Sequence, residues 1–219
     1  MVAEDADVSV AEDPNPYVSR GGLKLAQALK EFNIDPSNQI AVDVGASTGG
    51  FTDCLLQNGV TKVFAVDVGY GQLDWKLQSD GRVVMIDRTN ARELSLDTLG
   101  GEAVDLAVMD LAFISLRLIL PAVFKILKPG GEWIALVKPQ FEVGKDEVEN
   151  KGIITDLNKH VKVLLELKHF IEASGWSLAQ LCRSPITGQK GNQEYLIHGV
   201  QGKVANGVDE TLIRETVGL

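Results

Sequence analysis

Ile40-Ala41-Val42-Asp43-Val44-Gly45-Ala46-Ser47-Thr48-Gly49-Gly50-Phe51 is the stretch that decides the fold. Ile40–Val44 is short and apolar except at Asp43, which reads as a buried strand. A glycine-bearing turn follows, and helical spacing resumes over Phe51–Asn58. In an open parallel sheet such a turn lies at the carboxyl edge, where doubly wound folds bind ligands. Glycines there let backbone approach a ligand closely.

The spacing is not G-x-G-x-x-G, and no G-K-[ST] follows, which counts against a dinucleotide and against a P-loop phosphate site. Asp43 adds a charge argument. A carboxylate beside the loop repels a pyrophosphate but favours a ligand carrying an ammonium and a sulfonium, and S-adenosyl-L-methionine carries both. Asp43, Gly45, Ala46, Ser47, Thr48, Gly49, Gly50 and Phe51 are therefore the candidate cofactor residues of this loop. Asp67 ends a second predicted strand, 22 positions after Gly45, where acids accept hydrogen bonds from ribose hydroxyls. Asp87 and Arg88 follow a third strand, on the side where adenine is expected.

Outward from the loop, apolar strands alternate with helical segments. Strands are predicted at Ile40–Val44, Lys62–Asp67, Arg82–Ile86, Val104–Asp110 and Glu132–Lys138, and helices at Leu23–Phe32, Phe51–Asn58, Leu73–Ser79, Ser115–Leu127 and Asp156–Ser174. That alternation predicts a mostly parallel sheet covered by helices on both faces. Two late strands, Trp176–Arg183 and Glu194–Val200, are close enough to form a hairpin and give the sheet an antiparallel edge, making seven. Residues 1–16 read as an acidic leader or linker, 17–202 as the folded domain and 203–219 as a poorly anchored tail.

At 219 residues and 45% hydrophobic the chain suits one domain. It holds no apolar run of about 18 residues and no signal-peptide pattern, which predicts a soluble, cytoplasmic protein. A net charge of −9 argues against nucleic-acid affinity over the whole surface, though not against a local site. Cys54 and Cys182 form no C-x-x-C pair and read as small buried residues, and His160, His169 and His198 lack metal-ligand spacing, so no metal is expected. Trp75, Trp133 and Trp176 are expected in packing rather than as base-stacking platforms.

Four polar residues stand at element ends that converge on the methyl donor's side of the sheet: Lys24, Asp110, Lys138 and Glu194. Together they suit removal of a hydroxyl proton during methyl transfer, which needs a base with a pKa near operating pH. A lysine starts at about 10.4, and partial burial and a neighbouring cation lower it. Lys138 beside Lys24 is the candidate base, with Asp110 and Glu194 orienting the lysines, and these acids push the lysine pKa back upward against the other two effects.

Longer motifs give the chain a family resemblance. Tyr17-Val18-Ser19-Arg20-Gly21-Gly22-Leu23-Lys24-Leu25, the Asp43–Asp53 stretch, Asp67-Val68-Gly69-Tyr70-Gly71-Gln72-Leu73, Arg88-Thr89-Asn90-Ala91-Arg92, Phe113-Ile114-Ser115-Leu116, Lys138-Pro139-Gln140-Phe141-Glu142 and Ser184-Pro185-Ile186-Thr187-Gly188 resemble the TlyA family, often labelled hemolysin, whose methyltransferase domain is FtsJ-like. The resemblance implies a Rossmann-like class I methyltransferase fold, ribosomal RNA or a ribosomal subunit as partner, and 2'-O-methylation of ribose through a Lys-Asp-Lys-Glu tetrad falling on Lys24, Asp110, Lys138 and Glu194. It also places Ser19–Gly22 at the substrate-facing entrance. Two departures stand out: family members usually carry an N-terminal S4-type RNA-binding domain, of which only an acidic remnant precedes Tyr17, and the family pattern has a serine where Ala112 stands.

Three other functions compete with RNA methylation. A membrane-active hemolysin would need spanning helices or a closed barrel, and the sequence shows neither pattern. A cofactor-binding module with little turnover would follow from the missing RNA-docking domain, and an NAD-dependent oxidoreductase is disfavoured by Asp43 and the loop spacing.

Overall fold

A computed structural model describes residues 15–148, 152–188 and 190–219. Nearly all of the expected leader, residues 1–16, lies outside them. Helix α1 (Gly21–Glu31) is followed by β1 (Ile40–Val44), α2 (Gly50–Gln57), β2 (Lys62–Val66), α3 (Trp75–Gln78) and β3 (Val83–Ile86). The chain continues through β4 (Val104–Met109), α4 (Leu120–Val123), β5 (Leu127–Val137), α5 (Pro139–Glu142), α6 (Leu157–Ala173), β6 (Trp176–Arg183), β7 (Tyr195–Gln201) and α7 (Glu210–Val217).

The strands form one seven-stranded sheet in the order β3-β2-β1-β4-β5-β7-β6. β1 to β5 pair in parallel, while β7 runs antiparallel to both β5 and β6, so the late hairpin supplies the antiparallel edge of the sheet. Side chains alternate across the central strands, as a pleated strand requires. Val42, Val44, Ala107, Met109, Ala135 and Val137 face one apolar cluster with α4, α6 and α7. Ala41, Leu106, Val108, Ile134 and Leu136 face the other with α1, α2 and α3. Asp43 has the parity of Ala41 and therefore lies on the α1–α2 side, buried among that second cluster. None of the described helices is long and apolar enough to cross a membrane.

Several elements differ from their sequence expectations for identifiable reasons. The helix expected over Ser115–Leu127 is a 3-10 turn at Leu116–Leu118 and then four-residue α4. Pro121 has no N–H to give and its ring excludes the carbonyl four residues earlier, so no continuous helix can run through it. β5 starts five residues ahead of the expected Glu132, because Leu127 pairs with Val104 before the backbone bulges and Glu132 pairs with Leu106. The tail after Gly202 is not loosely attached: Ile213 and Val217 of α7 are buried against the core. The guanidinium of Arg183 donates to the Thr216 and Val217 carbonyls at the end of α7, where a cation complements the helix dipole. Only one i, i+4 apolar pair marks α7 in the sequence, too short a pattern to read as a helix.

Gly49, expected to touch the cofactor, has a packing role. Its φ is 95°, and a Cβ there would lie 2.2 Å from Leu77 Cδ1 and 2.7 Å from Leu73 Cδ1. Gly49→Ala is expected to lower stability by about 2–4 kcal/mol, from strain in a left-handed backbone plus overpacking. A urea unfolding midpoint unchanged by the substitution would contradict this reading.

Candidate active site

The site follows from strand register. Val44 pairs with Val66 and with Met109, and Val137 pairs with Tyr195. Gly45, Asp67, Asp110 and Lys138 are thus the first residues beyond their parallel strands, and Glu194 is the last residue before antiparallel β7. All five reach the same edge of the sheet. Asp67, Asp110, Lys138 and Glu194, expected as the terminal residues of their strands, each lie one residue outside them.

A cavity of about 760 Å³ opens at this edge. It is lined by all four tetrad residues, by Asp43, Gly45, Ala46, Ser47, Thr48, Gly50 and Phe51, and by Ser19, Arg20 and Gly21 from the expected entrance. Gly45 is needed where it stands: its φ is 86°, and a Cβ would come within 3.0 Å of the Asp110 carbonyl oxygen.

The tetrad forms two ion pairs. Lys24, on the face of α1 that carries Leu25 and Ala28 inward, places Nζ 2.6 Å from Glu194 Oε2, with both side chains buried. Lys138 Nζ lies 2.6 Å from Asp110 Oδ1. That second contact is an ion pair without aligned hydrogen-bond geometry, since Asp110 Oδ1 accepts no directional bond.

Asp43 is fully buried. Its Oδ2 accepts from the Thr52 N–H at 2.9 Å and from the Thr52 hydroxyl at 2.7 Å, at the first turn of α2. Oδ1 is buried with no partner although the residue lines the cavity. Burial pushes the Asp43 carboxyl up to about 7, and the negative charges of Asp110 and Asp67 add to this, while the Thr52 hydrogen bonds pull the other way. An uncompensated buried carboxylate oxygen at a cavity wall fits a cationic ligand group.

Asp67, Asp87, Arg88 and Gly49 do not line that cavity. Asp67 joins two loops, accepting from the Ser47 N–H at 2.8 Å and the Gly69 N–H at 2.7 Å. Asp87 accepts from the Gly71 N–H at 3.0 Å, and the Arg88 guanidinium lies 4.4 Å from the Tyr70 ring centre. Asp67 follows β2, and Asp87 and Arg88 follow β3, at the same edge of the sheet as Gly45.

Three further residues stand at or beside the cavity. Phe113, with φ 64°, is 89% exposed at the cavity mouth and its ring centre lies 5.0 Å from that of Phe141. Gln140 lines the cavity with a buried, unpartnered Oε1. Glu142 accepts from the Ser115 hydroxyl at 2.6 Å and the Leu116 N–H at 2.7 Å, tying the loop after β4 to α5, and burial raises its pKa against those bonds. All three lie inside quoted motifs, so the signal was there without a role. Trp133 and Trp176 are buried as expected, whereas Trp75 is 78% exposed: it opens the four-residue α3, which has no second turn to cover it.

Residues 17–201 match the family described as FtsJ-like methyltransferase. The 16S/23S rRNA (cytidine-2'-O)-methyltransferase TlyA of Mycobacterium tuberculosis is 44% identical over 86% of this chain and 70% of that protein. Hemolysin A of Brachyspira hyodysenteriae is 45% identical over 83% of this chain and 76% of its own length. A solved structure from Streptococcus thermophilus superposes with a TM-score of 0.90 at 45% identity, covering 95% of this chain and 75% of that one. More distant folds include a Burkholderia thailandensis methyltransferase with bound S-adenosylhomocysteine, at a TM-score of 0.57 and 19% identity over 83% of this chain and 79% of that one. The chain belongs to the FtsJ-like methyltransferase family, alongside the TlyA and hemolysin A relatives, and its fold is that of S-adenosylmethionine-dependent methyltransferases.

Proposed function

We propose that this chain transfers a methyl group from S-adenosylmethionine to a ribose 2'-hydroxyl of ribosomal RNA, acting on RNA or a ribosomal subunit in the cytoplasm. The observation that carries the reading is the convergence of two lysine–carboxylate pairs and the orphaned Asp43 oxygen on one cavity. The cofactor, when bound, supplies an electrophilic methyl on a sulfonium.

The chain's own residues do the rest. Asp43 faces the cofactor's ammonium, and the loop from Gly45 to Phe51 takes the amino-acid portion. Asp67 accepts from ribose hydroxyls with the lone pairs that Ser47 and Gly69 leave free, and Asp87 and Arg88 border the adenine. Lys138, in its neutral form, accepts the 2'-hydroxyl proton at Nζ, and Asp110 stabilises the ammonium that results. Lys24, held by Glu194, adds a positive charge that favours alkoxide character on the attacking oxygen. Phe113 offers a face on which a splayed base can stack.

The test uses radiolabelled S-adenosylmethionine with ribosomal RNA and with intact subunits, followed by nucleoside analysis. A 2'-O-methylnucleoside is the expected product. Label found only on bases, or none on any RNA, would remove the proposal.

A further inference from the structure

One buried polar network stands outside the residues assigned above. Asn192 is 4% exposed, and its side chain grips a single backbone segment with both ends. Its Oδ1 accepts from the Ile154 N–H at 2.9 Å, and its Nδ2 donates to the Gly152 carbonyl at 2.8 Å. The Ile154 carbonyl lies 3.0 Å from His160 Nε2, and His160 Nδ1 lies 2.8 Å from the Tyr195 hydroxyl. A carbonyl only accepts, so Nε2 carries a proton and donates to Ile154, while Nδ1 and the Tyr195 hydroxyl share the second hydrogen bond. His160, Tyr195 and Ile154 are all buried.

This network brackets Glu194. Asn192 precedes it by two residues and Tyr195 follows it by one, and both are anchored to the same short stretch, 152–154. The hairpin loop is closed on the same side by the Gly188 N–H, which donates to the Asn192 carbonyl at 2.9 Å, and by the Ser184 N–H, which donates to the Glu194 carbonyl at 2.9 Å. Lys24 donates to the Glu194 carboxylate, and Gln193 Nε2 donates to the Glu194 carbonyl at 2.7 Å, so the backbone position of Glu194 sets where the Lys24 pair lies. Every polar group of the network is satisfied, which is the condition under which such networks rigidify a site.

We infer that Asn192 and the His160–Tyr195 pair are positioning residues, which fix Glu194 and through it Lys24 at the methyl-transfer cavity. The inference rests on the methyl-transfer reading for its kinetic consequence. A catalytic group displaced by about 1 Å loses up to about 100-fold in rate.

The experiment compares wild type, Asn192→Ala, Asn192→Asp and Tyr195→Phe. Asn192→Ala is expected to lower kcat about tenfold, with the Kd for S-adenosylmethionine and the KM for RNA within twofold of wild type. Asn192→Asp keeps the acceptor for Ile154 but loses the donor to Gly152, and is expected to fall between; Tyr195→Phe removes one hydroxyl and is expected to lose a fewfold. Acylation of Lys24 by acetic anhydride, read by mass spectrometry, is expected to speed up severalfold in Asn192→Ala as the Lys24–Glu194 pair loosens. Unchanged kcat and unchanged Lys24 labelling in Asn192→Ala would overturn the inference, as would a loss confined to cofactor Kd or RNA KM. If Asn192→Ala does not fold by circular dichroism, Tyr195→Phe decides by the same readouts. If wild type methylates no RNA, the methyl-transfer reading falls and the Lys24 labelling alone decides the positioning claim.

Discussion

Lys138→Ala is expected to abolish methyl transfer, lowering kcat by about 1,000-fold while cofactor affinity stays within about twofold. The magnitude is that of removing a positioned general base. Lys138 stands one residue beyond β5, at the cavity, with Asp110 as its charge partner. The Asp43 carboxylate and the β1 loop are formed without it, which is why binding and chemistry should separate. Lys138→Arg is expected to fail as well, because a guanidinium holds its proton at any operating pH and cannot act as a base. Single-turnover rates with saturating RNA, beside calorimetry with S-adenosylmethionine, check both statements. Transfer at wild-type rate in Lys138→Ala would place the base elsewhere.

The second large effect concerns Asp43→Asn, which is expected to weaken S-adenosylmethionine binding about 100-fold at pH 8. An isosteric amide can keep an acceptor toward Thr52 yet offers no charge to an ammonium. The pH dependence has a definite sign. Burial raises the Asp43 carboxyl from 3.8 to about 7, so the folded, unliganded protein keeps this proton over a range where the unfolded chain has lost it. Stability attributable to the group is complete below the unfolded value and is lost as pH rises through about 7, a difference on the order of 4 kcal/mol. A cationic ligand reverses this by stabilising the carboxylate. Wild-type affinity should therefore rise from pH 6 to pH 8 with release of a proton, and Asp43→Asn should show a flat profile and no release. Calorimetry in buffers of different ionisation enthalpy measures the proton directly. The same substitution should leave the unliganded protein at least as resistant to urea as wild type at pH 8, since it removes the buried charge.

Much of this site was legible from Ile40–Phe51, because a buried parallel strand and its glycine turn follow short-range rules. Asp110, Lys138 and Glu194 were legible as strand ends whose common edge follows from sheet register, whereas Lys24 reaches them from the inward face of α1. What escaped were features set by tertiary contact. Gly49 looks like a ligand glycine in sequence, but its missing Cβ makes room for Leu73 and Leu77. Pro121 was present in the sequence, yet the apolar spacing around it outweighed it in the helix assignment. The exposure of Trp75 depends on α3 ending after one turn, and the burial of Ile213 and Val217 depends on a groove that only the finished fold provides. Neither is encoded within a local window.

Strand β7 has a consequence for how the chain acquires its site during synthesis. It enters between β5 and β6, the last strand made but not the last in space. Until it emerges, β5 presents an open edge of unpaired backbone groups, the kind of edge on which chains pair wrongly with one another. The interval spans Lys138 to Gln201, roughly sixty residues, or about 3 to 13 s of translation. Lys24 leaves the ribosome 170 residues ahead of Glu194, so the tetrad closes only when the sheet itself is sealed.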